Sequence, residues 1–122
     1  MIVTTTRGAG RLRTQRVPRS VQIRAPGRGQ VIPPRAILRA VGRASGLILL
    51  EGGPRLFGDF FAQRILDEQF LTLAPQFSGR DTPSARPGLV TGRTFAPRDP
   101  RWGQRVDLRR AVSHLFLRYA FR

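Results

Sequence analysis

The chain has 122 residues, room for one domain of ordinary size and too little for two. All 22 basic residues are arginine, set against 7 acids for a formal charge of +15, with no cysteine and a single histidine. Disulfides, thiolate metal sites, a cysteine nucleophile and a polyhistidine metal centre are therefore excluded.

No apolar run approaches the ~20 residues of a membrane span, and the N-terminus lacks the charged leader and apolar stretch of a signal peptide. A soluble, cytoplasmic protein with no membrane partner is expected. The 40% apolar content and eight phenylalanines argue for a packed core.

In chain order, Ile2-Val3-Thr4-Thr5-Thr6 is a β-branched run and a predicted strand. Arg7 to Arg19 carries Gly8, Gly10 and Pro18 and reads as loop with at most a short irregular turn. Val21-Gln22-Ile23 alternates as a short strand before the loop Pro26-Gly27-Arg28-Gly29. Pro34 suits a first helical position, and Ile37, Leu38 and Val41 supply an apolar face.

Leu47-Ile48-Leu49-Leu50, bounded by Gly46 and Gly52-Gly53, fits a strand buried on both faces. Pro54 then opens a helix running to about Leu66, with Leu56, Phe57, Phe60, Phe61 and Ile65 on one face. Gln69 to Ala74 returns as a strand after Asp67-Glu68. Residues 78–104 read as a long surface excursion with a brief extended piece at Thr94-Phe95. The chain closes in a hairpin: Val106 and Leu108 lie on one arm, Val112-Ser113 near the bend, and Leu115, Leu117, Tyr119 and Phe121 on one face of the other. This order is that of an α/β domain ending in antiparallel strands.

Charge is unevenly placed. Residues 1–50 hold ten arginines and no acid, whereas residues 51–122 hold twelve arginines and all seven acids, or +10 and +5. The arginines stand almost singly, and a GC-rich codon composition accounts for arginine without lysine. Nucleic-acid binding by an arginine-rich module is the alternative function, set second because aromatic–basic interleaving is confined to Leu115-Phe116-Leu117-Arg118-Tyr119, which reads as strand.

The sharpest chemical feature is Leu50-Glu51-Gly52-Gly53-Pro54. Two glycines at a strand end admit a ligand to the backbone, and the following helix offers unpaired N–H groups and the positive end of its dipole. That is an arrangement for a phosphate or pyrophosphate, and a tight turn is the competing reading. Glu51 faces the same crevice, where its carboxylate accepts hydrogen bonds from ligand hydroxyl or amino groups. Thr4-Thr5-Thr6-Arg7 supplies hydroxyls and a guanidinium at a second strand end.

A Walker-type loop is excluded by the lack of lysine, and Gly8-Ala9-Gly10 is not a dinucleotide fingerprint. His114 stands alone, Ser113 is a turn residue, Asp67-Glu68 is a solvated pair, and Trp102 is a loop anchor, so catalytic side chains are not identified and no metal is expected. Such poverty is compatible with a reductase, whose cofactor carries the chemistry.

Leu47-Ile48-Leu49-Leu50-Glu51-Gly52-Gly53-Pro54-Arg55-Leu56-Phe57 resembles the strand, Glu-Gly-Gly-Pro and helix start of the riboflavin-biosynthesis reductase family, the C-terminal domain of bacterial bifunctional deaminase–reductases. Ile65 through Gln76 resembles that family's helix, Asp-Glu, strand and Ala-Pro passage. Arg86-Pro87-Gly88-Leu89-Val90 and His114 to Tyr119 are similar to its tail, and Ile2-Val3-Thr4-Thr5 to a mid-domain strand ending in threonines.

The resemblance is good from Leu47 to Tyr119 and looser before. It implies a dihydrofolate-reductase-like mixed sheet flanked by helices, and NADPH-dependent hydride transfer to a phosphoribosylamino-pyrimidine. It further implies cofactor contacts from Thr5, Thr6, Gly52, Gly53, Pro54, Arg55, Leu56, Phe57, Gly58 and Asp59, and a substrate contact from Glu51. The family's first strands and helix, with an Ala-Ser-(Leu)-Asp-Gly type motif, have no counterpart here. Residues 1–122 are therefore expected to form a single, partial reductase domain, with a truncated and inactive copy as the companion expectation. Its exposed sheet edges favour association, a homodimer included.

Overall fold

The computed structural model describes residues 1–42, 46–77 and 88–121. The protein is a mixed α/β protein in two compact units, Met1–Leu50 and Glu51–Arg122, each considered by itself. Among the described residues no helix is long and apolar enough to cross a membrane.

The N-terminal unit is built from β1 (Ile2–Thr5), α1 (Thr6–Leu12), β2 (Ile23–Gly27) and α2 (Pro34–Val41). β1 and β2 pair in parallel, with Ile2 opposite Ile23, Val3 opposite Arg24 and Thr5 opposite Gly27. The register shifts between Val3 and Thr5. Pro26 falls in this irregularity of a two-stranded sheet, where its missing N–H costs little. The expected strand at 21–23 is thus displaced toward the C-terminus and runs through the expected loop, sharing only Ile23.

Helix α1 replaces the loop expected from Arg7 onward. Glycines 8 and 10 suggest a loop, but Thr5 sits in the extended N-cap conformation and its Oγ1 accepts a hydrogen bond from the Gly8 N–H at 3.1 Å. A Cβ at Gly8 would collide with the Thr4 hydroxyl, so this glycine is required by close packing of the first turn on β1. Thr6 Oγ1 donates to the Gly27 carbonyl at 3.1 Å, tying the start of α1 to the end of β2.

Helix α2 begins at Pro34 as expected, and Gly42, at φ +79°, takes its C-terminus into the left-handed region that glycine tolerates. Its buried stripe is Ala36 and Ala40, one turn apart, rather than Ile37, Leu38 and Val41. Ile37 and Leu38 are half-buried and Val41 is exposed. The alanines let the helix approach closely, and the larger side chains flank the contact.

Leu47 to Leu50 do not form the expected buried strand. Leu47, Ile48 and Leu49 are 79%, 42% and 72% exposed. A strand covered on both faces needs sheet neighbours and two layers of helix, and the two-stranded sheet of this unit does not provide them.

The C-terminal unit holds α3 (Pro54–Ala62), β3 (Glu68–Leu73), β4 (Gln104–Ala111) and β5 (His114–Ala120). The three strands are antiparallel in the order β3-β5-β4. Cross-strand register sets Leu71, Leu117 and Leu108 in one row and Leu73, Leu115 and Arg110 in the next. Successive side chains alternate, so Leu115, Leu117 and Tyr119 share the face expected from the sequence. The opposite face carries Phe70, Phe116 and the bidentate Arg118–Glu68 pair, at 2.6 and 2.9 Å. Hydrogen bonding and charge from Glu68 raise the Arg118 guanidinium above its ordinary range, and that guanidinium also lies 5.6 Å from the centre of the Phe70 ring.

Helix α3 ends at Ala62, four residues before the expected limit, because Arg64 adopts φ +52° and turns the chain away. Within the helix its face is the expected one, with Phe60 3% exposed and Leu56, Phe57 and Phe61 half-buried, whereas Ile65 is half-buried beyond the helix end. The Phe61 ring meets Phe57 at 5.6 Å, Phe95 at 5.4 Å and Phe121 at 4.8 Å. Thr94-Phe95 is not a strand, and the Phe95 ring is what the segment contributes. Trp102 is 85% exposed and is not an anchor, since the neighbouring Arg101 takes the inward position. The Arg101 guanidinium bonds the Ala62 carbonyl at 3.3 Å and Asp99 at 2.8 Å and lies 5.4 Å from the centre of the Phe95 ring.

The β4–β5 turn is Val112-Ser113, as the alternation predicts, with Val112 at φ +53°. A β-branched residue pays for the left-handed region with roughly 1–2 kcal/mol, and Val112 is 93% exposed, so it gains nothing from packing. Val112→Gly is expected to stabilise the hairpin by roughly 0.5–1 kcal/mol after the greater freedom of the unfolded glycine is deducted. The check is a rise in thermal melting temperature over the unsubstituted chain.

Candidate functional site

The segment from Glu51 to Asp59 forms the start and first two turns of α3. Gly53 is the N-cap, in extended conformation with no side-chain cap, and its carbonyl accepts the first helical bond from Phe57 N–H at 3.0 Å. Pro54 at the first helical position brings a preset φ and no N–H, so the donors of this turn belong to Arg55 and Leu56. No acid lies in the first turn to offset the positive end of the helix.

A Cβ built on Gly53 meets nothing within 4 Å, whereas one on Gly52 would press on the flexible end of Leu56. The helix entrance at Gly53 is therefore open and bare of side chains. The glycines precede α3 directly and do not sit at the end of a buried strand. Glu51, Gly52, Gly53 and Arg55 are exposed; Pro54, Leu56, Phe57 and Asp59 are half-buried; Gly58 is buried.

Further along α3, the expected cofactor residues turn to internal packing. Gly58 faces residues 90–93: its Cβ would lie 2.8 Å from Val90 Cγ1 and 3.2 Å from the Thr91 carbonyl oxygen. Thr91 N–H donates to the Pro54 carbonyl at 3.3 Å. Arg93 clasps Asp59 through Nε at 2.9 Å and Nη2 at 2.8 Å, with the Asp59 side chain 22% exposed. Phe57 stacks on Phe61. The 90–93 segment is thus a strap along the second turn of α3. Sequence reading missed it, although a glycine inside a helix followed by an acid was the available signal.

Thr5 and Thr6 belong to the other unit. Thr5 Oγ1 accepts from Gly8 N–H and keeps its own proton to donate, whereas the Thr6 proton is committed to the Gly27 carbonyl. Thr5 can therefore donate to an anionic oxygen, and Thr6 retains only acceptor capacity. The structure places Pro54 through Asp59 on one helix with Glu51, Gly52 and Gly53 leading into it, and Thr5 with Thr6 at the junction of β1 and α1, each group within its own unit.

His114 is exposed at the start of β5, its ring 6.4 Å from Phe116, and Ser113 lies in the hairpin turn. Among the described residues no three His, Cys, Asp or Glu side chains gather to hold a metal. Two surface depressions lie away from the expected site residues. One, of about 300 Å³, is lined by Phe61, Phe95, Ala96, Pro100, Arg101 and Trp102. The other, of about 520 Å³ in the N-terminal unit, is lined by Arg24, Ala25, Pro26, Ala36, Arg39 and Ala40.

No family model matches the chain, and no curated protein matches it.

Gly58→Val sets a stiff, branched side chain against Val90 and the Thr91 backbone. It is expected to cost about 2 kcal/mol or more, read as a lower melting temperature together with faster proteolytic cleavage between residues 88 and 95.

Proposed function

We propose that the chain is a reductase of the riboflavin-pathway pyrimidine reductase type, a dihydrofolate-reductase-like protein that binds NADPH through the open N-terminus of α3. The observation that carries this reading is the bare helix entrance at Gly53. It combines an uncapped first turn that leaves the Arg55 and Leu56 N–H groups as donors, no acid within that turn and free space where any other residue would place a Cβ. A pyrophosphate suits these features, because it needs convergent N–H donors, a positive dipole end and close backbone approach.

The residues present fit the cofactor at Gly53, Arg55 and Leu56. Asp59, held by Arg93, contributes by fixing the helix rather than by touching the anion. Bound NADPH would supply the hydride. The chain's own part is to hold the diphosphate through the Arg55 and Leu56 N–H groups, and to accept hydrogen bonds from a hydroxyl or amino group of a phosphoribosylamino-pyrimidine at Glu51, which is exposed beside the same turn. The order of elements also supports the reading, with a parallel β-α-β unit followed by an antiparallel hairpin.

Titration of the full chain with NADPH, followed by nicotinamide fluorescence, is expected to give saturable binding. Gly53→Val, whose Cβ would meet nothing within 4 Å, is expected to weaken binding by tenfold or more while the chain stays folded, with a modest fall in melting temperature from the poorer N-cap. No saturable binding by the folded chain, or equal binding by the variant, would overturn the proposal.

A further inference from the structure

The N-terminal unit carries ten arginines and no acid, and this asymmetry is not a matter of codon composition. Codon composition explains why arginine replaces lysine throughout the chain. It acts on both units alike, however, and does not explain why every carboxylate lies beyond residue 50. The C-terminal unit pairs Arg64, Arg93, Arg101, Arg109 and Arg118 with its own acids at 2.6–3.2 Å. The sequence of the N-terminal unit contains no carboxylate side chain to offset its ten arginines, so the unit carries a formal +10 in fifty residues, a charge that attracts anions.

The fold arranges part of this charge. Arg24 on β2 and Arg39 on α2 line the depression of about 520 Å³, whose floor is Ala25, Pro26, Ala36 and Ala40. Arg24 Nη1 donates to the Ala40 carbonyl, which fixes one wall against the C-terminal part of α2. Arg39 stands one turn after Arg35 on α2, and Arg11 one turn after Arg7 on α1, so each helix presents an i, i+4 arginine pair along one side. Arg7, Arg11, Arg24, Arg35 and Arg39 are all exposed.

The first fifty residues contain no phenylalanine, tyrosine, tryptophan or histidine. Base stacking on aromatic rings, the usual way of holding single strands, is therefore not available to this unit. Aromatic anchoring at a membrane interface is lacking as well. Guanidinium groups spaced by helical turns, without stacking groups, match a regular array of phosphates and carry no base readout.

We infer that the N-terminal unit binds the phosphate backbone of duplex nucleic acid independently of sequence, with Arg24 and Arg39 at the centre of the contact. This surface uses none of the residues assigned to the cofactor, so the two readings stand or fall separately.

The test is fluorescence anisotropy of the full chain with a labelled mixed-sequence DNA duplex between 50 and 200 mM salt. Log affinity is expected to fall linearly with log salt. Arg24→Gln with Arg39→Gln should reduce the magnitude of the slope by about 2, and Arg39→Gln alone by about 1. Arg39→Gln leaves the Arg24–Ala40 bond in place, so it remains informative if the double variant melts early. The charge-matched pair Arg105→Gln with Arg110→Gln on β4 should leave the slope unchanged. Equal loss in the two double variants would overturn the inference, as would no slope change in Arg39→Gln or no binding at 50 mM salt. Tighter, Arg39-dependent binding to vesicles of equal parts phosphatidylcholine and phosphatidylserine would also overturn it in favour of a membrane.

Discussion

Phe61 reaches from the second turn of α3 to three other rings. Those contacts gather the C-terminal unit: Phe57 lies on the same helix, Phe95 on the segment before β4, and Phe121 just beyond β5. Aromatic pairs of this kind contribute about 0.5–1.5 kcal/mol each beyond their buried area. They matter here because Phe60 is the one strongly buried large apolar side chain among the described residues. Arg101 completes the cluster by laying its guanidinium on Phe95 and bonding the end of α3. Two of its nitrogens, Nε and Nη1, are buried without a hydrogen-bond partner, a cost that the ring face and the Asp99 charge partly offset.

The same packing fixes the entrance of α3. The strap of residues 90–93 closes on Gly58, Asp59 and the Pro54 carbonyl, while the glycines just before the helix stay uncovered. One end of a nine-residue helix is thereby held and the other left open, which is the condition for presenting N–H donors to a ligand without also paying to order them. In the N-terminal unit, Thr5 and Thr6 play the corresponding local part, capping α1 and binding its start to β2.

Much of the C-terminal unit was legible in the sequence because its periodicities are strong. The apolar face of α3, the strand after Asp67 and the alternation of the last hairpin all appear where the spacing puts them. The N-terminal half was less legible for identifiable reasons. Gly8 signals a loop, yet it lies in a helix because the Thr4 hydroxyl excludes a Cβ. Ala36 and Ala40 carry no hydropathy signal comparable to Ile37 and Leu38, yet they make the contact. Leu47 to Leu50 satisfy the pattern of a buried strand, but hydrophobicity does not create the neighbours such a strand needs. At the candidate site, Glu51 to Pro54 was conspicuous as a motif. That Thr6 and Asp59 already serve internal bonds was invisible, since their partners Gly27 and Arg93 are distant in sequence.

Composition and spacing by themselves determined the class of the protein, the absence of thiol chemistry, the segregation of its charge and the amphipathic face of α3. These are properties of local residue pattern and count. Tertiary structure decided which groups remain free to act. A hydrogen bond or ion pair between distant residues commits Thr6 and Asp59, and close packing demands glycine at positions 8 and 58. At Gly53, by contrast, the surroundings leave open space, so what distinguishes that glycine from the others is its neighbours in three dimensions.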